Sequence, residues 1–492
     1  MRAQTLVGIV VFSSLAAFGA GPKYKKPEVA VPEAWQSPVP WQTATPADAL
    51  PKDAWWKLFG DAELEGYEER ALQNNQTLKA AAARLAQAQA FARVTSSSFF
   101  PEVHGGVSAE RERLSANRPT NGAKITTTAV TQNIFSIPFT LNYEVDLFGR
   151  VRHSLEAANA SLQASAADLE NVRLSLTSEL AADYVQLREL DAEIAVVQKA
   201  IDFQNEGLKL VDHRHQGGVA SGLDVAQQQT VIDSSSTQLA LLKQQRAQFE
   251  HAVAALQGIP ASEFKAPVRP LADGSDSQVL HFPATVPSEL LQRRPDIAEA
   301  ERQVAAANAQ IGIARSALYP SITLGGGGGL QSSDLAKLLD GPSGVWSLGV
   351  SVLQPIVAGG RNRARLEGAK AAYDETVASY RETALVAFQQ VEDALSGLNA
   401  LAAASDSQRR AVSDAQRALS LANARYTGGL VTYLDVITAQ EQVLENERLA
   451  TQIEGQRMVT DILLVKALGG GWDDSRIDSI AVKLKLKQAV QP

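Results

Sequence analysis

The chain has no cysteine among its 492 residues. Disulfides, thiolate zinc sites, iron–sulfur ligation and cysteine nucleophiles are excluded together. Aromatic residues reach only 6% and methionine occurs twice, so the 45% hydrophobic content is carried largely by Ala, Leu and Val. That is the composition of long, closely packed helices. There is no basic surplus either: 46 Lys and Arg face 54 Asp and Glu, a net charge of −8, which argues against nucleic-acid binding. The six histidines show no ligand spacing, and His213 and His215 sit beside a turn, so neither metal nor cofactor is expected. No nucleophile–base pattern appears, and the glycine run 325–329 lacks the Gly-Lys-Ser/Thr ending of a phosphate loop. An enzyme is therefore not expected.

Long apolar runs are also missing beyond the amino end. There, Arg2 precedes an apolar stretch from Leu6 to Phe18 and then Gly19, Ala20 and Gly21, the pattern of a secretory signal peptide over 1–19. A membrane helix needs about 20 apolar residues, and no later stretch offers them. A chain that spans a membrane without such a helix must use strands.

What the sequence does contain is a duplication. Arg214, Gly217, Gly218, Leu223, Asp224, Val225 and Gln229 recur 211 residues later as Arg425, Gly428, Gly429, Leu434, Asp435, Val436 and Gln440. The same shift carries Gly149-Arg150 onto Gly360-Arg361. Each copy reads helix, strand pair, very long helix, turn, helix. Leu155, Leu162, Leu169 and Leu176 form a seven-residue seam, and helix to about Asp212 would extend on the order of 90 Å. Both long helices break at a Gly-Gly pair, giving turns at 215–222 and 426–433.

Before each long helix the period changes to two. Phe135, Ile137, Phe139, Leu141, Tyr143, Val145 and Leu147 alternate with Ser136, Pro138, Thr140, Asn142, Glu144 and Asp146. In the second copy Trp346, Leu348, Val350 and Val352 hold the apolar positions. Partner strands start at Pro101, with Val103, Val107 and Ala109 on one face, and at Pro320, ahead of the glycine run. Strands of about 9–11 residues, apolar on one side and polar on the other, suit a membrane barrel with the apolar side toward lipid. Four strands cannot close a barrel, and open edges are not tolerated in lipid. Three copies give twelve strands and leave an aqueous lumen, so a homotrimer is expected.

With these features in hand, the sequence resembles the TolC-like outer-membrane factors of tripartite efflux pumps, and within them the lipoprotein branch. The matching stretches run from Gly21-Pro22-Lys23-Tyr24 through Trp55-Trp56-Lys57-Leu58-Phe59-Gly60-Asp61 to Arg293-Arg294-Pro295-Asp296-Ile297. They continue with Arg425-Tyr426-Thr427-Gly428-Gly429, Leu434-Asp435-Val436 and Ala467-Leu468-Gly469-Gly470-Gly471-Trp472. The resemblance implies an α+β membrane protein in which a long α-helical barrel continues a trimeric β-barrel. It implies an outer-membrane location with most of the mass periplasmic, and export of drugs or other small toxic molecules with an adaptor and an inner-membrane transporter.

The resulting organisation is a signal peptide 1–19, an extended segment 20–60, repeats at 61–258 and 286–470, an equatorial linker 259–285 and a tail 471–492. One departure concerns anchoring: Phe18 stands where the branch has its lipid-modified cysteine, so acylation there is excluded.

In a trimer Asp224 and Asp435 each become a ring of three carboxylates at the turns. Crowded like charges there attract cations. The resemblance supports an aperture at this place, with Tyr426 and Thr438 helping to hold it closed; aspartate is equally suited to capping the helix that restarts there. Exposed Arg214, Gly217, Gly218, Arg425, Gly428 and Gly429 are the expected adaptor contacts. The competing reading is a periplasmic coiled-coil adaptor or scaffold, which shares long helical hairpins but has no need of a lipid-facing strand side.

Overall fold

In the computed structural model the described residues are 21–36, 54–117, 128–271 and 287–472. The signal peptide with Phe18, linker residues 272–285 and the tail beyond Trp472 lie outside them. The helix ahead of each strand pair is two helices rather than the single one expected. Asp61 caps α1 (Ala62–Asn74) by accepting from the N–H groups of Glu63 and Leu64 at 2.9 and 3.3 Å. Asn75 then interrupts it and caps α2 (Gln76–Ser97), its side-chain oxygen taking the Leu78 N–H at 2.9 Å.

The first strand pair follows, β1 (Glu102–Gly105) and β2 (Ser108–Leu114) against β3 (Val130–Val145). Then come α3 (Arg150–Gln216) and α4 (Gly222–Leu256). The second copy comprises α5 (Pro287–Arg293), α6 (Pro295–Ser316), β4 (Ser321–Ser332), β5 (Gly344–Leu353), α7 (Arg361–Thr427) and α8 (Tyr433–Ala467). Pro295 opens α6 at a position whose N–H has no helical acceptor anyway. Helices α3 and α7 both have 67 residues, α4 and α8 both have 35, and every bound is displaced by the same 211.

The turns repeat too. The Val219 N–H reaches back to the Arg214 carbonyl at 2.8 Å, and the Leu430 N–H to that of Arg425 at 2.9 Å. This closure needs a left-handed residue, supplied by Gly218 at φ 74° and Gly429 at φ 72°.

Contacts divide the chain into two units. The first holds residues 86–164 and 300–379 together with the segment at Gly21. Its sheet has the order β1–β3–β4–β5, all antiparallel, with β2 extending β1 along the same side of β3. The strand expected over 135–147 runs from Val130 to Val145, and its first five residues do not keep the alternation: Thr131 and Asn133 fall on the Phe135 face and Val130 and Ile134 on the other. Phe148 stacks on Tyr319 at 4.9 Å where the strands give way to helices.

The second unit holds residues 28–85, 165–299 and 380–472 among those described. It is helical, with Leu190, Val197, Ile201 and Leu242 buried between α3 and α4. A buried ion network fastens the segment after α4. Asp191, 1% exposed, accepts from Arg246 at 2.6 Å, Arg188 at 3.1 Å and the Arg269 N–H at 2.9 Å. Arg188 also pairs with Glu63 at 2.6 Å and donates to the Pro267 carbonyl at 2.6 Å. Burying these charges is tolerable because each is matched by an opposite charge or a hydrogen bond.

Candidate functional site

Register decides which strand residues share a face, because directly opposed residues project to the same side. Phe139 lies opposite Gly328, and Gly328 opposite Trp346. The next rows on this face are Leu141–Gly326–Leu348, Tyr143–Leu324–Val350 and Val145–Ile322–Val352. The intervening rows are Thr140–Gly327–Ser347, Asn142–Gly325–Gly349 and Glu144–Thr323–Ser351. Over these rows one face is apolar and the other polar. Trp346 is 84% exposed and Leu348 81%, and Phe139, Leu141, Val350 and Val352 are exposed as well. Phe135 and Ile137 belong to the same face but are half-buried. Val103 lies opposite Leu141 and Ala109 opposite Phe135, in the same register on either side of Val107.

Glycine makes room for the large members of this face. A side chain at Gly105 would meet the Phe139 ring at 3.0 Å, so the ring covers the glycine instead. The sheet ends in two unpaired edges, β1 with β2 on one side and β5 on the other. At the helix-bearing end Arg150 pairs with Glu144 at 2.6 Å and Arg152 with Asp146 at 3.0 Å, whereas Arg361 and Arg363 of the second copy are exposed and have no ion pair among the described residues. Among the described residues no helix is long and apolar enough to cross a membrane, and no acid–histidine group could hold a metal ion.

In the helical unit the two turns come together with their flanking helices. Val211, Val231, Tyr426, Tyr433, Val436 and Ile437 form one buried cluster. The Asp224 carboxylate accepts the Ser221 N–H at 3.0 Å, while Asp435 accepts both the N–H and the hydroxyl of Thr432 at 3.1 and 2.8 Å. Both aspartates thus occupy the third helical position and bond back to the cap, so each forms a capping box.

Tyr426 and Thr438 make no hydrogen bond to these carboxylates. Tyr426 packs against Tyr433 at 4.9 Å, with the Arg214 guanidinium 4.6 Å above its ring. Burial pushes its hydroxyl above the usual tyrosine range against the opposing Arg214 charge, with a smaller push from the Asp224 charge. The Thr438 hydroxyl donates to the Leu434 carbonyl at 3.0 Å within its own helix. Arg214 is consequently half-buried, which corrects its expected exposure; Arg425 and the four turn glycines are exposed.

Sequence reasoning missed the polar chain beneath this cluster. The Tyr433 hydroxyl donates to Gln228 Oε1 at 3.0 Å, and Gln228 Nε2 donates to the Gln204 carbonyl at 2.8 Å, linking α8, α4 and α3. The one available signal was Tyr433 at a helix start directly after Thr432. Burial raises the Tyr433 hydroxyl to about 12.

Comparison with known proteins follows the same outline. The family model for outer membrane efflux proteins matches twice, over residues 68–258 and 286–470. The pyoverdine export outer membrane protein OpmQ of Pseudomonas aeruginosa is 35% identical over 94% of this chain and 96% of its own. Outer membrane protein OprJ of the same organism is 31% identical over 95% and 96%. Among solved structures, the outer-membrane channel OprN superposes with a TM-score of 0.85 at 28% identity, covering 92% of this chain and 99% of that one. The CmeC channel of Campylobacter jejuni gives 0.85 at 26%, covering 94% and 98%. Both of these solved structures are named outer-membrane channels, and they favour the channel reading over the adaptor one. The chain belongs to the outer membrane efflux protein family, the TolC-like channels expected from its motifs.

Proposed function

We propose that three copies of this chain close their sheets into a twelve-stranded barrel in the outer membrane and serve as a passive, gated export duct. The observation that carries this is the unbroken register, which yields one apolar face, one polar face and two open edges. Open edges in lipid leave backbone groups unpaired, and pairing β5 of one copy with β1 and β2 of the next removes them all. Phe135, Ile137, Phe139, Leu141, Trp346, Leu348, Val350 and Val352 would then face lipid, and Thr140, Asn142 and Ser347 the lumen.

The turns form the narrow end in this reading, with Asp435 and Asp224 lining it and Tyr426 and Thr438 beside them. Arg425 and the exposed glycine pairs are the contacts offered to a periplasmic adaptor, Arg214 joining them from its half-buried place. An inner-membrane transporter delivers the cargo through that adaptor. The cargo is a small toxic molecule or drug, in keeping with relatives named for export of pyoverdine and toluene.

The test is direct. Protein extracted from native membranes is expected to run as a trimer and to form pores in planar bilayers; a pore-inactive monomer from the same membranes would refute the proposal.

A further inference from the structure

We infer that Arg111 and Arg113 form a site for the phosphate groups of lipid headgroups at the outer rim of the apolar band. The inference rests on the barrel reading above. Every helix joins the sheet at one end: α2 leads into β1, β3 into α3, α6 into β4, and β5 into α7. Leu114 and Val130, Ser332 and Gly344 are therefore at the opposite end, away from the periplasmic helices.

At that end β2 reads Ser-Ala-Glu-Arg-Glu-Arg-Leu. Alternation sorts its charges by sign. Ala109, Arg111 and Arg113 oppose Phe135, Asn133 and Thr131 on the apolar side, whereas Glu110 and Glu112 oppose Ile134 and Gln132 on the polar side. Glu112 is engaged there, accepting from Gln132 Nε2 at 2.6 Å.

Both arginines are exposed and, among the described residues, have no ion-pair partner. At the helix end of the first copy, Arg150 and Arg152 are each matched by a carboxylate of the same chain. Cations left unmatched just beyond an apolar face lie where headgroups begin. Two guanidinium groups two residues apart on one strand face are about 7 Å apart, within reach of one phosphorylated headgroup. Continuity with Phe135 and Ala109 favours a lipid over free phosphate, because acyl chains then have an apolar surface to lie along.

The experiment incubates the purified trimer with lipid A, a bisphosphorylated glycolipid, and counts retained copies by native mass spectrometry. Bilayer conductance is measured on the same preparations. Arg111→Ser with Arg113→Ser is expected to lower retention about tenfold with conductance intact, and Arg111→Lys with Arg113→Lys to lower it less, since lysine keeps the charge but loses bidentate geometry. Glu110→Gln with Glu112→Gln should leave retention unchanged, as should millimolar inorganic phosphate.

Retention in the serine variant equal to wild type would overturn the site. So would a gain in the glutamine variant as large as the loss in the serine variant, which would mark mere net charge, or displacement by phosphate. Loss of trimer and pores in the unaltered protein would instead defeat the barrel reading.

Discussion

Gly329 stands opposite Pro138 in the β3–β4 ladder, where proline has no N–H to give. The strands approach so closely that a side chain at Gly329 would sit 2.1 Å from the Ile137 carbonyl oxygen, at a φ of 155° that L-residues rarely adopt. Gly325, four residues away in the same run, has open space around the equivalent position. Gly329→Ala is thus expected to lower the thermal midpoint and yield of the folded protein, at a cost of about 1–3 kcal/mol for strain alone, whereas Gly325→Ala is tolerated. Equal behaviour of the two in a thermal melt would show that the close approach is not what selects glycine. At Asp435 the same scale separates cap from aperture. Asparagine keeps an acceptor for the Thr432 N–H but removes the charge; alanine removes both. If the carboxylate ring sets ion preference, single-channel recordings will show both variants less cation-selective. If only the cap matters, alanine alone changes anything.

Among the elements, the four long helices were legible because heptad spacing, glycine turns and a fixed repeat all speak through local sequence. The strand faces were legible from period two, and the continuous register confirms which residues share them. The pairing of Arg246 with Asp191 was not, because partners 55 residues apart in sequence carry no periodic signal. Nor was Gly455, which lets α8 approach α3 so closely that a side chain there would meet Glu189 at 2.5 Å. That approach leaves Glu189 6% exposed. Burial first, then the Glu193 charge, raise its carboxyl to about 7, with Arg448 opposing them. Burial does the same for Glu299, again about 7, and for Asp461, about 7. A carboxyl whose folded pKa lies above its unfolded value stabilises the fold most at pH below the unfolded value, and that contribution is lost as pH rises through the folded one. The helical unit should consequently melt at a higher temperature at pH 5 than at pH 8. Glu189→Gln should flatten the profile; an unchanged slope in calorimetry would remove Glu189 from the explanation.

At the scale of the whole molecule, the two bare margins of the sheet govern how the protein comes into being. A lone chain has backbone donors and acceptors on both flanks of the sheet that its own fold leaves unpaired, so in the proposed trimer folding of the sheet and recruitment of sister chains would be a single event. Refolding from denaturant into detergent is expected to give a yield of native protein that climbs with chain concentration, and a yield independent of dilution would contradict this. Inheritance follows the same logic. In the proposed trimer a subunit damaged along one margin would spoil the ring it enters, so when damaged and sound subunits are produced equally, only about one ring in eight would be free of the lesion.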